Sequence, residues 1–288
     1  MRLIPPAQPF LEATVSQTAA AGVVILGAPL DLTECWQSGT SAAPTRVRVA
    51  SDVLESYSPA LDADLTDMPL ADWGDVDLNQ LDMEASLEAI ADVVERACTV
   101  ALPVLVGGEH TATLGAVRGV LRRYPNLVVL HIDAHTDLRD EYLGLGMSHA
   151  TVMRRVADEV GLSRLAQYGI RSGTREEFDL ARRCLFSGPD LDVNRTTRDR
   201  IHRRPVYVTI DIDVLDPSVA PGTGCPEPGG ATYKELAAFL LSLRGLNVVA
   251  VDVMEILPAV DTNDITSVAG AKLVREAALA FGRRVPPR

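Results

Sequence analysis

The chain has 288 residues, 47% of them hydrophobic and 23% charged, with ordinary amounts of glycine and proline, which excludes disorder and fibrous repeats. Lysine and arginine number 27 against 39 aspartates and glutamates, a formal charge of −12. Such a surface repels phosphate backbones, so a nucleic-acid partner is not expected, and it mildly favours small cationic molecules.

Near the N-terminus there is no basic segment, apolar segment and cleavage site in series. The longest apolar run, 19–30, is too short to span a bilayer and contains Gly22, Gly27 and Pro29. A cytoplasmic protein without a membrane partner is expected. The first predicted strand is 23–26, followed by a helix over 45–57. A second helix is predicted over 83–99, where Leu87, Ile90, Val94 and Ala97 keep a helical spacing. Strand 103–106, helix 111–124, strand 127–132 and helix 150–160 come next, then strand 165–170 and helix 175–185. Strand 206–210, helix 232–243, strand 247–253 and helix 265–281 complete the series. Continuous β-branched runs of this length suit strands buried on both faces. The alternation predicts one three-layer α/β domain, 1–288, with a mostly parallel sheet between helices. Cys35, Cys98, Cys184 and Cys225 lack CxxC pairing and read as reduced thiols, not as a zinc site.

Four predicted strands run directly into polar residues. Strand 103–106 meets Gly107-Gly108-Glu109-His110, and strand 127–132 meets Asp133-Ala134-His135-Thr136-Asp137. Strand 206–210 meets Asp211-Ile212-Asp213, and strand 247–253 meets Met254-Glu255. Parallel strands place all four ends on one edge of the sheet, where open α/β sheets bind ligands. Asp133, His135 and Asp137 alternate, as do Asp211 and Asp213, which turns alternate side chains the same way in extended chain. Carboxylates gathered so closely repel one another unless cations lie between them. Four aspartates with His110 and His135 form a hard, oxygen-rich set suited to octahedral Mn²⁺. Six side chains exceed what one metal with an open position needs and suit two metals sharing carboxylates. The charges then balance: −4 against +4, with a bridging hydroxide matched by a substrate of charge +1.

Other titratable groups read less simply. His131 is in phase with Asp133 but lies inside the strand, as a packed core histidine would. His202 sits among arginines, as a surface residue would. His149 fits either proton transfer beside the metals or capping of a helix by Ser148-His149. Glu255 ends a buried strand, where a lone carboxylate is costly unless paired. Its natural bidentate partner is a guanidinium, from a substrate or from an internal arginine such as Arg171.

Together these motifs resemble the ureohydrolase superfamily of arginases and agmatinases. The resemblance rests on GGEH at 107–110, HIDAHTD at 131–137, SHA at 148–150, TIDIDVLDPSVAPGTGCPEPGG at 209–230 and DVMEILP at 252–258. It implies the arginase fold, with a mostly parallel sheet of about eight strands. It also implies two Mn²⁺ ions, one held by His110, Asp133, Asp137 and Asp211 and the other by Asp133, His135, Asp211 and Asp213. His149 is implied as proton shuttle and Glu255 as guanidinium anchor, in a homotrimer or homohexamer. Glu109 departs from the family's usual aspartate. Arg139 stands where arginases typically have an asparagine, and the run DLRDEYLG looks instead like agmatinases. Agmatine, hydrolysed to urea and putrescine, is therefore the expected substrate. Arginine, a guanidino acid, aminopropylagmatine and formiminoglutamate are the alternatives, and Arg139 either meets a substrate carboxylate or pairs with Asp140 or Glu141. A metal-binding regulator without activity is the expectation if the site proves incomplete.

Overall fold

The computed structural model describes residues 2–16, 21–34 and 36–282. Cys35 and part of the apolar run 19–30 lie outside the described residues. Twelve strands occur among them: β1 (Leu3–Ile4), β2 (Thr14–Val15), β3 (Val23–Ala28), β4 (Tyr57–Ser58), β5 (Ala63–Asp64), β6 (Leu70–Val76), β7 (Leu102–Gly107), β8 (Val128–Ile132), β9 (Leu165–Tyr168), β10 (Phe186–Gly188), β11 (Pro205–Asp211) and β12 (Asn247–Met254). Strands β4 and β5 form a separate hairpin, and the other ten form one sheet in the order β1-β6-β3-β7-β12-β11-β8-β9-β10, with β2 also on β6. Every pairing in that sheet is parallel except β1 with β6. The two strands beyond the expected eight are the two-residue β1 and β2, both paired with β6.

Helices α1 (Ala43–Ser51), α2 (Met83–Cys98), α3 (Ala112–Leu121), α4 (Val152–Val160), α5 (Arg175–Ala181), α6 (Arg195–Ile201), α7 (Tyr233–Ser242) and α8 (Ile265–Phe281) cover the sheet. The period-two geometry of a strand splits its side chains between two cores. Val23 and Ile25 enter the core shared with Val47 of α1, Leu236 of α7 and Leu273 of α8. Val24 and Leu26 enter the opposite core, with Leu87 of α2, Leu114 of α3 and Val156 of α4. Burying side chains of this size stabilises by roughly 1.5–3 kcal/mol each, which is why strands in the middle of the sheet read as unbroken apolar runs.

The differences from the sequence reading have local causes. Strand β6 was not expected because Asp72, Gly74 and Asp75 interrupt its apolar pattern. Asp72 is fully buried there and takes a bidentate contact from Arg48, with Nε–Oδ2 at 2.8 Å and Nη2–Oδ1 at 3.0 Å. The strand predicted over 165–170 stops at Tyr168 because Gly169 takes φ 86°, and a Cβ there would sit 2.9 Å from the Asp133 carbonyl oxygen. The helices predicted over 45–57 and 175–185 end earlier, at Ser51 and Ala181, while β10 and α6 were not anticipated. No described helix is long and apolar enough to cross a membrane.

Candidate active site

Strands β7, β12, β11 and β8 are consecutive and parallel, so the four polar segments emerge side by side at their carboxyl ends. The GGEH segment is laced to its neighbours by backbone bonds. Gly108 N and Glu109 N donate to the carbonyls of Ala28 and Leu30, and Glu255 N donates to that of Gly108. A Cβ on Gly108 would lie 2.0 Å from the Leu30 carbonyl oxygen, so only glycine permits this approach. Asp137 and Glu255 both adopt positive φ, 52° and 64°, a strained backbone held by its surroundings.

Asp133 lies between two histidines. Its Oδ2 is 3.1 Å from His110 Nδ1, and its Oδ1 is 3.6 Å from His135 Nδ1. His110 Nδ1 is also 3.0 Å from Asp211 Oδ2 and 3.5 Å from Asp137 Oδ2, while His135 Nδ1 is 2.8 Å from Asp213 Oδ2. Donor atoms about 3 Å apart match neighbouring corners of an octahedron with bonds of about 2.1 Å. All six residues read as ligand candidates are thus brought together.

The histidine tautomers support the fit to cations. His110 Nε2 is 2.9 Å from Thr209 Oγ1, which is 3.3 Å from Thr113 Oγ1, which donates to Asp252 Oδ2 at 2.8 Å. Tyr207 donates to the same oxygen at 2.5 Å. Because Asp252 accepts at the far end, each hydroxyl in turn donates toward it, and His110 carries its proton on Nε2. The Nδ1 lone pair is left facing three carboxylates, and this buried atom has no hydrogen-bond partner. Lone pairs opposed in this way repel unless a cation or proton lies among them. The titration tendencies agree. Burial, then the neighbouring carboxylates, push Asp137, Asp211 and Asp213 above the usual carboxylate range. Against the opposing effect of burial, the aspartates raise both His110 and His135.

His131 has a different place. Gln167 Nε2 donates to its Nδ1 at 3.0 Å, so Nε2 carries the proton and donates to Asp133 Oδ2 at 2.7 Å. Neither ring nitrogen has a free lone pair, which makes it a buried, hydrogen-bonded support for Asp133. His202 is exposed.

Glu109 is fully buried and reaches the loop after β3. Its Oε2 accepts from the backbone N–H of Leu32 and Thr33, both at 2.6 Å, and its Oε1 accepts from the Thr33 hydroxyl at 2.8 Å. With that hydroxyl proton committed, Thr33 Oγ1 accepts from His149 N at 3.1 Å and from His149 Nδ1 at 3.3 Å. Nε2 remains the unprotonated ring nitrogen of His149. Burial lowers the pKa of this imidazole and keeps it neutral. The capping reading of Ser148-His149 also holds in part, since Ser148 and Thr151 form a reciprocal capping box.

A cavity of about 230 Å³ opens over these groups and is lined by His110, His135, Asp211, Asp213, His149 and Glu255. Arg139, Tyr142 and Glu34 line it as well. Arg139 pairs with neither Asp140 nor Glu141; its Nε is 3.2 Å from Glu177 Oε2 and its guanidinium lies over the Tyr142 ring at 4.7 Å. Arg171 does not serve Glu255 either, because its guanidinium is spent on backbone carbonyls including those of Asp213 and Glu227. Glu255 instead accepts from His110 N at 2.6 Å and touches the carboxyl of Glu34. Burial, then the negative charges of Glu34 and Asp211, hold Glu255 well above the carboxylate range. Glu34 is pushed up to about 7 by burial, with the Glu255 hydrogen bond opposing and Glu109 and Asp31 adding to the rise. Glu34, Thr209, Gln167 and Asp252 were missed from sequence. The first lies in a loop without a motif, and the others read as ordinary strand residues.

A largely parallel sheet with aspartates and histidines converging at its carboxyl edge defines a metal-competent α/β hydrolase. The arginase family model matches residues 21–280. An agmatinase of Bacillus anthracis is 40% identical over 265 residues, covering 90% of this chain and 91% of the relative. A guanidinobutyrase of Pseudomonas aeruginosa is 31% identical over 89% of this chain and 85% of its own length. The crystal structure of an agmatine ureohydrolase of Thermoplasma volcanium superposes with TM-score 0.80 at 32% identity, covering 91% of this chain and 90% of that one. The chain belongs to the arginase family and is an enzyme of the agmatinase-like ureohydrolase kind.

Proposed function

We propose that the protein is a dinuclear Mn²⁺ hydrolase that cleaves agmatine to urea and putrescine, a step of polyamine biosynthesis. The observation that carries this reading is Asp133, buried with one oxygen toward each of two histidines that line a cavity also presenting Glu255 and His149. His110, Asp133, Asp137 and Asp211 would hold one cation, and Asp133, His135, Asp211 and Asp213 the other. When bound, two such cations supply a water of lowered pKa as nucleophile and Lewis acidity at the reacting carbon. Glu255 would receive the guanidinium edge and fix the orientation of its carbon in the cavity, converting charge pairing into positioning. His149 Nε2, unprotonated at rest, would take up the proton released as water adds and pass it to the departing amine, a contribution of roughly 10²–10⁴-fold for a well-placed shuttle. The proposed protein is cytoplasmic, with 1–288 as one domain in a homotrimer or homohexamer.

Arg139 on the cavity wall favours a second reading, hydrolysis of a guanidino acid whose carboxylate meets that arginine. Urea release from agmatine, arginine, 4-guanidinobutyrate and aminopropylagmatine with added Mn²⁺ decides. Agmatine is expected to have the highest kcat/KM. A preference for guanidinobutyrate would establish the second reading, and no urea from any of them would sink both.

A further inference from the structure

Glu34 sits beside the site in a loop that the fold holds with care. Glu109 binds the loop through Leu32 N and Thr33 N, and Asp31 Oδ2 accepts from Gly39 N at 2.6 Å across its base. Glu34 Oε1 accepts from Thr40 Oγ1 at 3.3 Å. These contacts bring the Glu34 carboxyl against that of Glu255, with both on the cavity wall. Two carboxylates facing one cavity attract a cation that can reach both. Asp31 and Glu109 also lie near Glu34, but Glu109 is occupied by the loop backbone and neither lines the cavity. His110, whose buried Nδ1 has no hydrogen-bond partner, lines the same cavity.

We propose that Glu34 is a second carboxylate of the guanidinium seat, clamping one edge of the substrate's planar cation while Glu255 takes another. This rests on the reading of the protein as a guanidino hydrolase. An alkylguanidinium has five N–H donors and presents N–H pairs along the two edges its substituent leaves free, so two carboxylates can each take a pair while the face of the carbon stays open. An alkylammonium, with donors at one point, cannot span both groups in that way. Glu34 thereby favours guanidino compounds over amines of equal charge and holds the reacting end of the substrate, not its tail.

The test compares the Mn²⁺-loaded wild type with Glu34→Gln and Glu34→Ala. Both variants are expected to raise KM for agmatine by about 10- to 100-fold, the scale of a lost charge-assisted hydrogen bond, with kcat within about threefold. Calorimetric titration with methylguanidinium should show the same weakening without turnover, while metal content and melting temperature stay as in the wild type. A loop-holding role predicts the opposite for Glu34→Gln, because its amide oxygen still accepts from Thr40. Wild-type KM and methylguanidinium affinity in that variant would overturn the proposal and leave the functional reading intact. A fall in kcat at unchanged KM, or loss of metal, would overturn it equally. If the wild type released no urea from any guanidino compound, the functional reading would fall, and the proposal with it.

Discussion

Thr209 decides which nitrogen of His110 faces the cavity. Its hydroxyl, backed by Thr113 and Asp252, takes the Nε2 proton and leaves Nδ1 bare among three carboxylates. Replacing Thr209 with valine keeps the shape and removes the acceptor. Affinity for Mn²⁺ should fall about 10- to 100-fold, as it does when a ligand's supporting hydrogen bond is lost. Equilibrium dialysis with elemental analysis would measure it, and unchanged affinity would show that Asp252 does not set the tautomer. Glu109 acts through the same kind of indirect contact. It touches no cavity group itself but aligns Thr33 under His149 and carries the segment bearing Glu34.

At the scale of elements, charged residues inside the fold do two kinds of work. Asp72 lets β6 remain in the sheet because Arg48 on α1 answers its charge and the N–H groups of Phe10 and Gly74 bond its oxygens, with a further contact from Arg48 Nη1 to Asp75 Oδ1 at 2.6 Å. Arg48→Met leaves Asp72 buried and unpaired and should cost about 3–5 kcal/mol, measured by urea denaturation. The loop after β11 is tied instead by a surface carboxylate. Asp216 accepts from the hydroxyl and backbone N–H of Ser218 and from the N–H groups of Gly229 and Gly230. These bonds, those of Ser218 first, lower its pKa to about 2. A depressed carboxylate stabilises above its unfolded pKa of about 3.9, and that contribution disappears as pH falls through the folded value. The melting-temperature gap between wild type and Asp216→Asn should therefore be full at pH 5–7 and close between about pH 4 and pH 2. A gap independent of pH would show that shape, not charge, matters there.

For the whole molecule, the proposed cations cross-link the ends of three strands, β7, β8 and β11, that otherwise hold mutually repelling carboxylates. Ligand linkage predicts that the Mn²⁺-loaded protein melts well above the chelated one. Stabilisation is about 2.7 kcal/mol per site at a hundredfold excess over Kd, or roughly 5–10 °C for two sites in a chain of this size. Differential scanning calorimetry with and without chelator measures this, and an identical melting temperature would mean the site does not hold metal in the folded state. How much of this was legible beforehand depends on the kind of order involved. The layered fold and the clustering of His110, Asp133, His135, Asp137, Asp211 and Asp213 could be read directly, because buried parallel strands advertise themselves as apolar runs. Chemical groups placed just after such runs must share one edge. Strand β6 was hidden because its buried Asp72 and half-buried Asp75 pair with an arginine on another element, which no local pattern records. The sequence by itself determined which residues stand at the strand ends and that their negative charges crowd together there. Only the tertiary structure decided the tautomers of His110 and His131, the partner of Arg139 and the meeting of Glu34 with Glu255. These depend on contacts between segments up to 221 positions apart, whose distances in space the linear pattern does not contain.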